Sequence, residues 1–124
     1  MRIAIVGSRR RTDEENVRQL VRDLYKEYKN NLELISGGCT GVDTWAIDEA
    51  RKIGLPEKNL TVYLPDLHNV KDYYDACNRY YNRNKMIVER AKDGIYAFVA
   101  DNRKGGTENT IKYAQKLNRL VIIK

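Results

Sequence analysis

The chain has 124 residues, 42% hydrophobic and 32% charged, and this composition predicts a single globular domain over residues 1–124. Two cysteines, one histidine and no apolar run near the ~20 residues of a membrane span argue against a metal site, a disulfide framework and membrane insertion, so we expect a cytoplasmic protein. The net charge of +6 arises mainly in residues 63–124, where twelve Lys and Arg face seven Asp and Glu, and it suits either a phosphate-bearing partner or an ordinary solvated surface.

The chain begins with a predicted strand and helix. Residues 2–6 form an apolar run typical of a buried strand, which ends at Gly7-Ser8-Arg9. A capping box of Thr12 and Glu15 is predicted to open a helix over about 13–29, where apolar residues recur at helical spacing.

A glycine-rich turn follows the second predicted strand, at about 32–36, and precedes a helix at about 42–53. The turn has the sequence Ser36-Gly37-Gly38-Cys39-Thr40-Gly41-Val42-Asp43. Such a turn allows the backbone to approach a ligand closely and aims free N–H groups at an anion. Asp43 falls in the first helical turn, where a carboxylate accepts a hydrogen bond from a sugar hydroxyl or simply caps the helix. The segment alone does not separate these two interpretations.

The second half of the chain predicts three more strands. The predicted elements are, in order, a strand at 60–64, a helix from about 86 to 91, a strand at 94–100, a helix at 107–117 and a strand at 120–123. Residues 66–92 are the least regular part. Within them, residues 79–85 interleave basic and aromatic side chains, a pattern that suits base stacking and phosphate contacts and equally suits a solvated helix with tyrosine anchors.

The alternation of strands and helices predicts an α/β fold with a parallel sheet covered by helices on both faces. Three polar or glycine-rich turns each follow a strand, and ligands of such sheets bind at the carboxyl ends of the strands, so we expect the turns to rim one site. The candidate ligand- and phosphate-binding residues are Gly7, Ser8, Arg9, Ser36, Gly37, Gly38, Thr40, Gly41, Asp43, Arg83, Asn84, Gly105, Gly106 and Thr107.

Four motifs in this order resemble the SLOG superfamily of Rossmann-like proteins. They are Gly7-Ser8-Arg9, Ser36-Gly37-Gly38-x-x-Gly41-x-Asp43, Arg83-Asn84 and Gly106-Thr107. The length and motifs are most similar to the small YspA/YpsA-related members, and the superfamily also includes the Rossmann domain of DNA-processing protein A and the Lonely guy phosphoribohydrolases. The resemblance implies a three-layer α/β/α fold with a five-stranded parallel sheet, a nucleotide-derived ligand, a sensor-type role and a homodimer. It requires no cofactor.

One departure bears on catalysis. Lonely guy enzymes carry a Gly-Gly-x-Gly-Thr-x-x-Glu motif, and aligning Gly106-Thr107 with its Gly-Thr places Thr110 at the catalytic Glu. Glu108 lies two residues away, about 200° around a helix, so we expect it to point elsewhere. The resemblance therefore implies binding more than catalysis, and whether the protein is an enzyme stays uncertain.

Three hypotheses follow, in order of preference. The first is a nucleotide-binding module with phosphate at the glycine-rich turns. The second is a single-stranded nucleic-acid binding protein that uses residues 79–85. The third is a nucleoside-monophosphate N-glycosidase, for which the nearby carboxylates are Asp43, Asp101 and Glu108. Cys39 is a further candidate for redox chemistry, although a small residue tolerated in a turn is the simpler interpretation.

Overall fold

The computed structural model describes all residues from Met1 to Lys124 and contains one five-stranded sheet, all of whose strand pairs are parallel. The strands are β1 (Arg2–Gly7), β2 (Glu33–Ser36), β3 (Leu60–Val62), β4 (Gly94–Phe98) and β5 (Val121–Ile123), in the spatial order β3-β2-β1-β4-β5. The helices are α1 (Glu14–Tyr28), α2 (Val42–Lys52), α3 (Tyr73–Arg90) and α4 (Gly106–Lys116). The predicted α/β class and five-stranded parallel sheet are confirmed. None of the helices combines the length and the apolar character that a membrane crossing needs.

Two hydrophobic cores cover the two faces of the sheet. Because side chains of a strand alternate between faces, Ile3 and Ile5 of β1 enter the core beneath α1 and α2, whereas Ala4 and Val6 enter the core beneath α3 and α4. β1 is therefore buried on both sides at the centre of the sheet, and its carboxyl end lies between the two helical layers. The chain runs outward from β1 to β3 on one side of the sheet and from β4 to β5 on the other, so the strand order reverses between β1 and β4. Open α/β sheets bind their ligands at such a reversal.

The start of α1 differs from the predicted capping box. The N-cap position is Asp13, whose carboxylate accepts bonds from Arg11 Nε at 2.9 Å and Nη2 at 2.6 Å, while the Glu15 carboxylate pairs with Arg22. The bond to Arg11 lowers the pKa of Asp13 to about 2. The capping box was wrong: the helix begins one residue later, the Asp13 carboxylate bonds to Arg11 instead of capping the helix, and Glu15 bonds to Arg22 instead of reaching back.

The third helix is much longer than the segment predicted to begin near residue 86. It starts at Tyr73, where the Asp72 side chain caps it by accepting the Asp75 N–H at 2.8 Å. Its first two turns contain no buried residue and carry little apolar periodicity, so the pattern became visible only where Ile87 and Val88 enter the core. The third and fourth strands end two residues earlier than predicted, at Val62 and Phe98.

Candidate functional site

A cavity of about 420 Å³ opens at the carboxyl end of β1, between the two helical layers. Nine of the predicted site residues line it, namely Gly7, Ser8, Arg9, Asp43, Arg83, Asn84, Gly105, Gly106 and Thr107. Five predicted residues do not line it, namely Ser36, Gly37, Gly38, Thr40 and Gly41. The remaining lining residues are Val6, Arg10, Cys39, Tyr80, Tyr81, Ile87, Asn102, Lys104 and Thr110.

Arg10 and Lys104 are lining residues that sequence reasoning did not select. Neither lies within a motif of the resemblance, although Lys104 belongs to the turn at 102–107, one of the three that we expected to rim the site. The available signal was their position: each lies next to a selected residue in a turn that follows a strand. The basic residues of such turns therefore belong among the candidate site residues.

The cavity has an inner end and a mouth of opposite electrical character. The inner end is formed by buried residues and contains the carboxyl group of Asp43. The mouth is formed by exposed residues, among them the side chains of Arg9, Arg10 and Lys104, which make no hydrogen bond or salt bridge with the rest of the protein. A ligand that fills the cavity would therefore meet a carboxyl group inside and cations at the mouth.

Asp43 is the most unusual group in the cavity. Its side chain is about 5% exposed, and Oδ2 accepts the Cys39 N–H at 3.2 Å, but Oδ1 has no hydrogen-bond partner. Burial raises its pKa to about 6, although the Cys39 amide, the charge of Arg83 and the nearby N–H groups of Gly37 and Gly7 oppose the rise. A buried acceptor without a partner costs free energy, so it is rarely kept without a reason. A raised carboxyl pKa inside a cleft is typical of functional sites.

The turn between β2 and α2 is closed around this carboxylate. Ser36 Oγ accepts the Gly38 N–H at 3.2 Å and donates to the Asp43 carbonyl at 3.4 Å. A Cβ on Gly37 would lie 2.9 Å from Asp43 Oδ2 and 2.7 Å from Arg83 Nη1. The anion that this turn surrounds is thus Asp43 itself. Gly37 lies directly against its carboxylate instead of facing an open phosphate site.

Gly7 also has a structural reason to be glycine. A Cβ at Gly7 would lie between 2.6 and 2.8 Å from the side-chain carbons of Val42, at the start of α2. The missing side chain lets α2 begin directly against the end of β1. This packing places Asp43, one residue later, at the inner end of the cavity.

Arg83 and Asn84 connect the two glycine-rich turns. Arg83 Nη1 donates to the Gly37 carbonyl at 2.6 Å, and its Nε donates to Asn84 Oδ1 at 3.0 Å. Asn84 Nδ2 donates to Asn109 Oδ1 at 3.1 Å and to the Gly106 carbonyl at 3.4 Å, both in the first turn of α4. Most of the donors of Arg83 are therefore used within the protein, and its main observed role is to hold the site together.

The start of α4 is open, unlike the start of α2. Gly105 is the N-cap with φ of +109°, and a Cβ built on Gly105 or Gly106 would meet no atom within 4 Å. The N–H groups of Gly106 and Thr107 have no intrahelical partner, as is usual in a first turn, and they border the cavity. Free N–H groups and the helix dipole make this end attractive to an anion.

The other carboxylates near the site are occupied or lie elsewhere. Both Glu108 oxygens accept bonds from Arg103, at 2.9 and 3.0 Å, and Glu108 does not line the cavity, as expected from its position in the helix. Asp101 lines a separate, neighbouring cavity. Thr110 is buried in the wall and donates its hydroxyl to the Gly106 carbonyl at 3.3 Å. Asp43 is therefore the one carboxyl group that lines the cavity.

A thiol and two aromatic rings complete the wall. Cys39 Sγ lies 3.5 Å from Arg83 Nη2, so the half-buried thiol takes one of the remaining guanidinium donors. The Arg83 guanidinium also stacks over the Tyr80 ring at 5.6 Å. Tyr81, next along α3, is exposed at the mouth. These rings offer a flat apolar surface to a ligand that enters between α3 and α4.

The fold has a known counterpart, whereas no family model and no curated protein matches the sequence. The solved structure of DNA processing protein A (DprA) from Streptococcus pneumoniae aligns with a TM-score of 0.75 over 98% of this chain, at 17% sequence identity. The aligned part is 49% of that structure, so this chain spans about half its length. The likeness confirms the Rossmann-like fold.

Proposed function

We propose that the protein binds a nucleotide or nucleotide-derived ligand in this cavity, as a sensor-type module. The observation that carries the proposal is that Asp43 is the one carboxyl group in a cavity whose other charged lining groups are all cationic. Such a cavity favours a ligand that has a hydrogen-bond donor at one end and an anion at the other. A sugar hydroxyl and a phosphate meet both requirements, and the tyrosines suit a base.

The orientation follows from the charges. A phosphate at the inner end would be repelled by Asp43, whereas at the mouth it meets the α4 N-terminus and the side chains of Arg9 and Lys104. A partly buried helix terminus contributes up to ~2 kcal/mol, and each charge-assisted hydrogen bond contributes about 1.5–3 kcal/mol. A few such contacts, after the cost of ordering, reach the ~8 kcal/mol of a micromolar complex.

The test is native mass spectrometry of protein purified from its host, followed by calorimetric titration with the compound identified. We expect an adduct with the mass of a nucleotide or nucleotide derivative. Asp43→Asn should weaken its binding at least tenfold, because an amide NH₂ would replace the acceptor that the hydroxyl needs. Asp48→Asn, on the exposed face of the same helix, is the matched control. Equal binding by both variants would contradict the proposed site.

Single-stranded nucleic acid is the second candidate, favoured by the tyrosines of α3. Tyr74 and Tyr81 are seven residues apart, so they lie on one face of the helix about 10 Å from each other. Tyr73 and Tyr74 are each 78% exposed, which leaves their rings open to stacking bases. The name of the structural neighbour, DNA processing protein A, is in line with this candidate.

A salt series separates the two candidates. Binding of an oligothymidylate should weaken linearly on a log–log plot against salt, with a slope of about 0.7 for each phosphate contacted. A mononucleotide should give a much shallower slope. A steep slope together with no binding of mononucleotides would place nucleic acid first.

Cleavage of an N-glycosidic bond ranks third. Thr110 has no carboxylate to offer, so Asp43 alone would have to serve the reaction. Its raised pKa would suit proton transfer near neutral pH, but one carboxyl group leaves the second role of an acid–base pair unfilled. Release of free base from nucleoside monophosphates at high protein concentration would reverse this ranking.

A further inference from the structure

We propose that the ligand carries two or more phosphate groups and is a nucleoside polyphosphate, an inference that rests on the nucleotide-binding function proposed above. The nucleoside end would face Asp43, and the phosphate chain would lie at the mouth. The observation that supports this proposal is the location of the arginines that form no salt bridge with Asp or Glu.

Eight of the twelve arginines form a salt bridge with Asp or Glu. The four that do not are Arg9, Arg10, Arg83 and Arg119. Arg119 donates instead to the carbonyls of Val88 and Glu89, at the end of α3. The other three all line the cavity, so it contains three of the four arginines that no carboxylate neutralises.

Neighbouring residues of the loops differ in whether a carboxylate neutralises them. Arg103 and Lys104 are adjacent in the same loop, and Glu108 neutralises Arg103 with a bidentate contact. Lys104, which lines the cavity, has no carboxylate within reach. In the loop between β1 and α1, Arg11 forms a salt bridge with Asp13, whereas Arg9 and Arg10 form none. In this loop, the arginines that line the cavity are thus the ones without a carboxylate partner.

The amount of charge exceeds what one phosphate neutralises. Three free cations, Arg9, Arg10 and Lys104, stand at the mouth beside the positive end of α4. A monophosphate carries at most two negative charges near neutral pH and would leave part of this charge uncompensated. A diphosphate or triphosphate supplies the additional negative charge.

The experiment is a calorimetric titration of the full chain with AMP, ADP and ATP, and with the uridine series, at constant ionic strength in the presence of EDTA. For at least one of the two bases, we expect the nucleoside triphosphate to bind at least 25-fold more tightly than the monophosphate. Arg10→Ala and Lys104→Ala should reduce that ratio below about fivefold, because each change should weaken binding of the triphosphate more than binding of AMP. Lys112→Ala, an exposed position on α4 outside the cavity, should leave the ratio unchanged.

The outcomes separate this inference from the function on which it rests. If AMP or UMP binds and the triphosphate is no tighter, the polyphosphate inference is overturned and nucleotide binding stands. If none of the six compounds binds at millimolar concentration, the nucleotide-binding function itself fails. If the dinucleotide pApA binds more tightly than ATP, the chain of phosphates belongs to a nucleic acid and the inference is overturned in favour of the second candidate. Loss of the ratio in Lys112→Ala would show that general surface charge, and not the cavity, causes it.

Discussion

The two glycine-rich turns of this protein look alike in sequence and differ in structure. The turn from Ser36 to Asp43 is largely buried, and its space is filled by the Asp43 carboxylate and the Arg83 guanidinium. The turn that ends at Gly105 and Gly106 is exposed, and nothing in the protein occupies the positions where their side chains would be. Both precede a helix N-terminus.

The difference shows that a glycine-rich turn does not by itself identify a phosphate site. In the first turn the protein supplies its own anion, and Gly37 is needed because a Cβ at this position would collide with it. In the second turn the protein supplies no anion, so the helix dipole and the nearby cations remain available. The two turns thus divide the work: one positions a carboxyl group and the other offers an anion site.

The largest expected effect concerns the buried carboxylate of the first turn. The pKa of Asp43 is about 6 in the folded protein against an ordinary value of 3.8, so the stability that its neutral form gives is full below pH 4 and is lost as the pH rises through 6. Relative to Asp43→Asn, the wild type should therefore lose up to about 3 kcal/mol of unfolding free energy between pH 4 and pH 8. Urea unfolding of both proteins across this range measures it. Parallel pH curves would contradict the assigned pKa.

The second prediction adds one carbon to the closed turn. Gly37→Ala places a Cβ less than 3 Å from Arg83 Nη1 and Asp43 Oδ2, and both are held by other bonds. Overpacking of this kind should cost about 1–3 kcal/mol of unfolding free energy. Chemical denaturation gives the value, and an unchanged midpoint would show that the turn yields easily.

The third prediction breaks the connection between the turns. Asn84→Ala removes the bonds from α3 to Asn109 and Gly106 and leaves Arg83 Nε without its acceptor. We expect a loss of about 1–2 kcal/mol. Hydrogen exchange should become faster at the start of α4 and at the β2–α2 turn. Asn82→Ala, exposed on the same helix, is the control and should change neither quantity.

The smallest effect on stability is expected in the open turn. Gly106→Ala meets no neighbouring atom and φ at this position is not in the left-handed region, so the change should leave stability equal or raise it by less than about 1 kcal/mol. Affinity for a nucleotide should nevertheless fall at least fivefold, because the new methyl group takes space beside the proposed phosphate. Full affinity in Gly106→Ala would place the phosphate elsewhere.

Much of the fold was accessible from the sequence because it depends on local periodicity. The apolar runs of β1 and β4 and the helical spacing in α1 and α4 predicted elements within two residues of those observed. The first two turns of α3 escaped prediction because they contact little of the core, so burial leaves no periodic trace there. The capping box failed for a related reason. Whether the Asp13 carboxylate bonds to the helix backbone or to Arg11 depends on side-chain geometry, which the sequence pattern does not contain.

The sequence by itself determined the order of the elements, the parallel sheet and the edge of the sheet at which the polar turns gather. Tertiary structure alone decided which of those turns is filled and which is open, since this depends on where Arg83 of α3 reaches and which carboxylates the arginines find. The physical reason is the distance along the sequence between the residues that make contact. Strand and helix patterns reflect contacts between residues a few positions apart, whereas Asp43 and Arg83 are forty residues apart and meet only when both helical layers pack on one sheet.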